Sequence, residues 1–294
     1  MKPDSWSAPA GSRPRARHAG ALTSQAVGWW HALLRALAVL NVVLWSLSAV
    51  AVTHAPAAAI PGLETACYLQ LLLSAVYVLG CAFRCVLPVY DIPRRVLVDS
   101  PLSSVMVGRS VATVAELCFA AQWALFLHAL AASTGDPFAQ AVAMALVPLV
   151  VLAEACSWHA VLTTAQRGHV LENSLWGLAA TGVVASLLAL GPHRLAALYA
   201  PMIAWSIGGA VYAAFIFRFD VPMYWSRWRA DRASGRRYLS IAQGLTDVCH
   251  RRTVSYRWED WKSEVLWMSC YFSLGVWSSL SLVYASLALA GRGV

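Results

Sequence analysis

The run Ala141-Val142-Ala143-Met144-Ala145-Leu146-Val147-Pro148-Leu149-Val150-Val151-Leu152-Ala153-Glu154-Ala155-Cys156-Ser157-Trp158-His159 decides how the chain is read. Every residue from Ala141 to Ala153 is apolar, and with its flanks the run supplies the ~20 residues a membrane-spanning helix needs. Glu154 breaks it. A carboxylate at that depth costs about 2.5 kcal/mol or more unless it is paired or faces water, so it is a functional-site candidate by default. Glu116 repeats the pattern in the preceding apolar segment.

Composition extends this reading to the whole chain. The 294 residues are 59% hydrophobic and 12% charged, against roughly 25% charged in an ordinary soluble domain. Seven segments are long and apolar enough to span, near 27–54, 65–90, 110–133, 139–164, 174–191, 195–217 and 265–290. The expected fold class is therefore all-α, a polytopic bundle of seven transmembrane helices.

Orientation follows from Lys and Arg, which remain on the cytoplasmic side of short loops. With the N-terminus inside and the C-terminus outside, eighteen of the 22 basic residues are cytoplasmic, and only Arg194 and Arg292 are outside. Arg35 and Arg84 lie near the cytoplasmic ends of their spans, where long side chains snorkel. The expected location is the plasma (inner) membrane. Residues 1–26 read as a disordered, basic cytoplasmic tail. The rest reads as one transmembrane domain, 27–294, with a cytoplasmic amphipathic segment at 218–264. There Tyr238, Ile241, Leu245 and Val248 recur at helical spacing. The net charge of +8 is confined to segments flanking the spans, which fits anionic headgroups and excludes nucleic acid as the expected partner.

Several chemistries find no support in the residues. The seven cysteines form no CxxC pair and read as small buried hydrophobes. The histidines show no HxxH or HxxxH spacing, and the only lysines, Lys2 and Lys262, lie outside the spans, where no retinal Schiff base forms. Walker, GxGxxG and GxSxG motifs are absent. No metal and no cofactor is expected. No internal repeat marks an inverted-repeat transporter, and Pro148, without a counterpart, reads as a local kink.

What remains is a set of acids and their neighbours. Arg109, Thr113, Glu116, Ala120 and Trp123 share one face of the third span, with Glu116 about 10 Å from its cytoplasmic end. Glu154 and Trp158 share a face of the fourth span, and His159 is rotated away by roughly 140°. Spans joined by a short outer turn are antiparallel neighbours, so the Glu116 and Glu154 faces are expected to meet in the inner half of the bilayer. Two carboxyls sharing a proton there serve as general acid and base.

The 163–176 stretch reads as a turn in which Asn173 or Ser174 caps the fifth helix and Glu172 complements its dipole. With His169 it would form a polar vestibule. Pro222 is expected to stop the sixth helix, leaving Asp220 as a further acid, and Tyr224 and Trp225 mark the headgroup level.

The expected catalytic residues are thus Glu116, Glu154, His159, Glu172 and Asp220. Arg109, Trp123, Trp158, Asn173, Tyr224 and Trp225 are the expected substrate contacts, with Trp123 and Trp158 shaping an aromatic pocket suited to a cationic intermediate. The function that fits best is a membrane enzyme performing isomerisation, cyclisation or hydration on a lipid or other apolar small molecule. A proton-coupled transporter and a non-catalytic membrane scaffold are the alternatives. In a purely structural account Glu116 pairs with Arg84 or Arg109, and Glu154 with His159 or a Trp indole, gluing helices together.

Overall fold

The computed structural model describes residues 13–54, 63–191 and 198–290. The first twelve residues of the basic tail, most of the first outer loop, and the loop carrying His193 and Arg194 lie outside the described residues, as does Arg292. Helices α1 (Arg13–Thr53), α2 (Leu63–Val86), α3 (Val105–Thr134), α4 (Pro137–Thr163) and α5 (Gln166–Ala189) follow one another up and down. The sixth span, Tyr199–Ala233, joins α6 (Tyr199–Phe215) through a π-helical turn, Ile216–Asp220, to α7 (Val221–Ala233). The short helix α8 (Ile241–His250) comes next. The last span, Trp258–Leu289, joins α9 (Trp258–Cys270) through a second π turn, Tyr271–Gly275, to α10 (Val276–Ala290). Among the described residues seven helices are long and apolar enough to cross a membrane, so the chain is a multi-pass, all-α membrane protein.

The outward faces explain why such a chain needs lipid. Leu40, Val43, Leu47, Leu72, Leu79, Met144, Val151, Leu152, Leu188, Ile207 and Val211 are all exposed, a ring of apolar surface that no soluble protein presents. Polar contacts supply the glue inside. Gln122 of α3 donates to the Gln70 side chain of α2 at 3.1 Å and accepts from Ser279 of α10 at 2.6 Å, all three fully buried.

Several boundaries differ from the sequence reading, each for a physical reason. The third span starts at Val105, capped by Ser104, so Arg109 is a buried helical residue rather than a loop charge. The fifth starts at Gln166 instead of 174, because Thr164, left-handed at φ 61°, turns the chain in two residues. Asn173 and Ser174 are consequently not caps, and their side chains bond to the His169 and Val170 carbonyls within the helix. Pro222 does not end the sixth span. It sits in the first turn of α7, where a missing N–H costs nothing, just after the Val221 N–H has made its wide π bond to the Ile216 carbonyl. The seventh span begins at Trp258, its first turns carrying Glu259, Asp260 and Lys262.

A cap of short strands and α8 closes the end of the bundle where α4 passes into α5. Strands β1 (Val89–Tyr90), β2 (Arg95–Val96) and β3 (Thr253–Val254) form a three-stranded sheet, antiparallel between the first pair and parallel between the second. Two-residue strands have no period, so no sequence pattern announced them. Arg94, fully buried, holds the cap to the bundle: it donates to Asp247 of α8 at 2.9 Å and to the Val161 carbonyl of α4 at 2.6 Å. Helix α8 forms where the apolar spacing predicts a helix, opened by a Ser240–Gln243 capping box, although Tyr238 lies ahead of it. Gly244 lets α8 press on the end of α4, since a Cβ there would lie 2.1 Å from the Leu162 carbonyl oxygen.

Candidate functional site

The site is built around one guanidinium. Starting α3 at Val105 carries Arg109 into the bundle, one turn below Thr113 and two below Glu116. Nη2 of Arg109 donates to both oxygens of Glu154, at 3.0 and 2.8 Å, and to Oε1 of Glu172 at 3.3 Å. The same nitrogen lies 3.5 Å from Oε2 of Glu116. Arg109 and Glu154 are buried, and the Glu116 and Glu172 side chains are each 12% exposed. Three acids therefore converge on a single cation.

Their surroundings differ. Glu154 is saturated: besides Arg109 it accepts from the Thr113 hydroxyl at 2.5 Å, and that hydroxyl accepts from the Trp158 indole at 3.0 Å. Glu172 bridges Arg109 and Nδ1 of His169, which lies 2.7 Å away. Its position in the second turn of α5 follows from the early start of that helix. Glu116 has no hydrogen bond to Arg109; its Oε1 accepts from the Tyr271 hydroxyl at 2.9 Å. Tyr271 opens the second π turn. Its ring meets Tyr77 edge-on at 6.2 Å and lies 5.9 Å from Trp267, and Tyr77 stacks on Phe119 at 4.7 Å. Glu116 thus points toward an aromatic wall from α2, α3 and the last span.

The expected site residues divide accordingly. Arg109, Glu116, Glu154 and Glu172 come together, with Trp158 alongside through Thr113. Asn173 is near, its side-chain amide spent on the His169 carbonyl, and the Tyr224 ring lies 5.0 Å from His169. His159 is not part of the cluster. It is exposed on the other face of α4, as its rotation along the helix requires, and makes no ion pair with Glu154. Trp123 packs edge-on with Phe126 and Trp205 in the apolar core, away from the acids. Trp225 is exposed and packs on Trp228. Asp220 closes the first π turn and makes no hydrogen bond or ion pair among the described residues. Arg84 does not pair with Glu116; it donates to the Gly108 and Val89 carbonyls.

Tyr271 is the addition, and Thr113 and His169, expected on the Glu116 face and in the vestibule, take defined roles as hydrogen-bond partners of Glu154 and Glu172. Thr113 and His169 lie on faces that helical spacing marks, but Tyr271 sits in an aromatic run that reads as a headgroup belt, and a π turn leaves no trace in sequence. Among the described residues, no cluster of three or more His, Cys, Asp or Glu has the geometry to hold a metal ion. Comparison of the chain with known families, with curated proteins and with solved structures gave no match.

Proposed function

We propose that this chain is an integral membrane enzyme that performs acid/base chemistry on a lipid or other apolar small molecule, with Glu116 as the proton-transferring group. One observation carries the reading: of three carboxylates paired with one guanidinium, Glu154 and Glu172 accept hydrogen bonds from it, while Glu116 stands farthest off, at 3.5 Å, and takes its hydrogen bond from a tyrosine hydroxyl. Helix glue needs one acid for one arginine. A second and a third acid in a low-dielectric site leave net negative charge, which is relieved by keeping a proton on one of them. Glu116, the acid farthest from the guanidinium and the one without a hydrogen bond from it, is the natural holder of that proton.

In this reading Glu154 and Glu172 fix Arg109, and Arg109 balances the charge when Glu116 gives up its proton. The Tyr271 hydroxyl orients the Glu116 carboxyl, while Tyr271 and Trp267 present ring faces suited to a developing positive charge. Protonation and deprotonation of an apolar substrate by such a group carry isomerisation, cyclisation or hydration. Of these, only hydration needs a co-reactant, and that co-reactant is water. The positive-inside charge pattern supports a site in the inner half of the bilayer, within reach of a substrate dissolved in that leaflet, and we take the membrane to be the plasma (inner) membrane.

The experiment compares lipid extracts, by mass spectrometry, from cells expressing the wild-type protein, Glu116→Gln or Tyr271→Phe, matched for protein in the membrane. The wild type should change the abundance of at least one apolar species, Glu116→Gln should abolish the change, and Tyr271→Phe should weaken it. If all three extracts match those of cells without the protein, the enzymatic reading fails. Proton leak from wild-type proteoliposomes that is lost in Glu116→Gln would then assign the same carboxyl to a carrier.

A further inference from the structure

We infer that the groove between the inner ends of α4 and α5 binds an anionic phospholipid, its phosphate on Arg167 and His159 and an acyl chain along the apolar wall below. The groove is bordered by Ala155, Cys156 and His159 of α4 and by Arg167, Gly168 and Leu171 of α5. Gly168 creates it. A Cβ there would stand 2.5 Å from the Cys156 carbonyl oxygen and 2.7 Å from the Ala160 Cβ, so the two backbones touch. Side chains flanking the crossing then diverge and leave a trough.

The trough changes character along its length. At the end where α4 stops and α5 starts, Arg167 and His159 are both exposed. Neither side chain has a hydrogen-bond or ion-pair partner among the described residues, whereas Arg94, Arg95, Arg109, Arg236, Arg251 and Arg252 each pair with an acid. Toward the membrane centre the wall is apolar, and Val151, Leu152 and Leu171 continue it as exposed surface. A guanidinium with an imidazole beside it, above an apolar trough, complements an anion attached to a hydrocarbon chain. The guanidinium fork suits phosphate in particular, since it donates two parallel hydrogen bonds.

The depth agrees as well, because Arg167 sits in the first turn of α5, at the end that the charge pattern assigns to the cytoplasmic headgroup layer. The side chains that would contact the lipid are separate from the acid cluster: Glu154 and Glu172 reach Arg109, and His159 and Arg167 are each rotated away from them by roughly 140°. Gly168 serves both sites, so the test varies Arg167 and Leu171 and leaves Gly168 in place.

The test uses the full-length protein in nanodiscs of phosphatidylcholine with and without phosphatidylglycerol, scored by native mass spectrometry and by thermal unfolding. The wild type should retain phosphatidylglycerol in preference to phosphatidylcholine and unfold at higher temperature with it. Arg167→Ala should weaken that retention about tenfold or more, the scale of one charge-assisted contact, while Arg167→Lys should keep part of it. Leu171→Glu, which places an anion in the acyl wall, should abolish it by a different route. Arg229, exposed on α7, is the control, and Arg229→Ala should change nothing. Equal retention of the two lipids would overturn the assignment, as would equal losses in Arg167→Ala and Arg229→Ala. Stabilisation by inorganic phosphate in phosphatidylcholine discs matching that by the lipid would overturn it too, since the acyl chain would then contribute nothing.

Discussion

Both carboxylate oxygens of Glu154 lie within hydrogen-bond distance of a single nitrogen, Nη2 of Arg109, at 2.8 and 3.0 Å. The apolar run that opens with Ala141 tolerates an acid because α3 delivers a cation to the same depth. That one nitrogen serves Glu172 as well, so the pair is the fixed centre of the cluster and Glu116 its loosest member.

Removing the cation should therefore be worse than removing any one acid. Arg109→Ala leaves three carboxyls facing each other, and the expected loss is about 3–5 kcal/mol, the scale of a broken buried pair. Arg109→Lys should not restore it, since one short ammonium replaces a planar fork. Glu154→Gln keeps the shape but turns an amide donor toward Arg109, and should cost about 1–3 kcal/mol. Thermal unfolding of the detergent-solubilised variants checks the order: a Glu154→Gln protein less stable than Arg109→Ala would contradict it.

Gly168 sets the position of Glu172 one turn later. In Gly168→Ala the new methyl meets the Cys156 carbonyl oxygen and the Ala160 Cβ, so α5 must move from α4 at its inner end. An expected cost of about 1–3 kcal/mol follows from overpacking. Activity should fall with it, because the Glu172 contact to Arg109 stretches. Stability unchanged in Gly168→Ala would mean that the crossing is looser than drawn.

The cap built from the sheet and α8 should come loose as a unit. Asp247→Asn leaves the fully buried Arg94 without its acid, and Arg94→Ala also releases the Val161 carbonyl. Either change should cost roughly 3 kcal/mol or more and open the segment around Ser234 and Gly235 to limited proteolysis. Equal protease resistance in wild type and Arg94→Ala would show that the sheet and α8 dock without this contact.

Orientation is testable independently of the site. A reporter inserted at Ser234 should read out in the cytoplasm, and one fused after Val294 on the outer side, as the distribution of basic residues requires. The reverse result would turn the acid cluster toward the outer leaflet.

How much of this was legible in the sequence depended on period and length. Long apolar runs announced all seven spans, and 3.6-residue spacing put Arg109 and Glu116 on one face of α3 and turned Glu154 away from His159. Ends were misplaced where polar residues continue a helix: the stretch from Gln166 to Ser174 reads as a turn because its Gln, Arg, Gly and Asn imitate one, yet packing against α4 keeps it helical. Pro222 imitates a stop for the same reason, and the π turn before it absorbs the missing hydrogen bond. Tyr271 and Glu116 are 155 residues apart in sequence. No local pattern links them, and Trp123, which shares the Glu116 face by spacing, is drawn into the core by Phe126 and Trp205.

The central claim is that Glu116 transfers a proton to or from an apolar substrate. Incubating isolated membranes in deuterated water, with no new lipid synthesis, tests it most directly, because protonation of the substrate by Glu116 places a solvent hydrogen on the product. Lipid extracts from wild-type membranes should contain a species carrying solvent deuterium that is absent, or reduced about a hundredfold or more, in membranes with Glu116→Gln at equal protein level and equal thermal stability. The same deuterated species at the same abundance in wild type and Glu116→Gln would contradict the account.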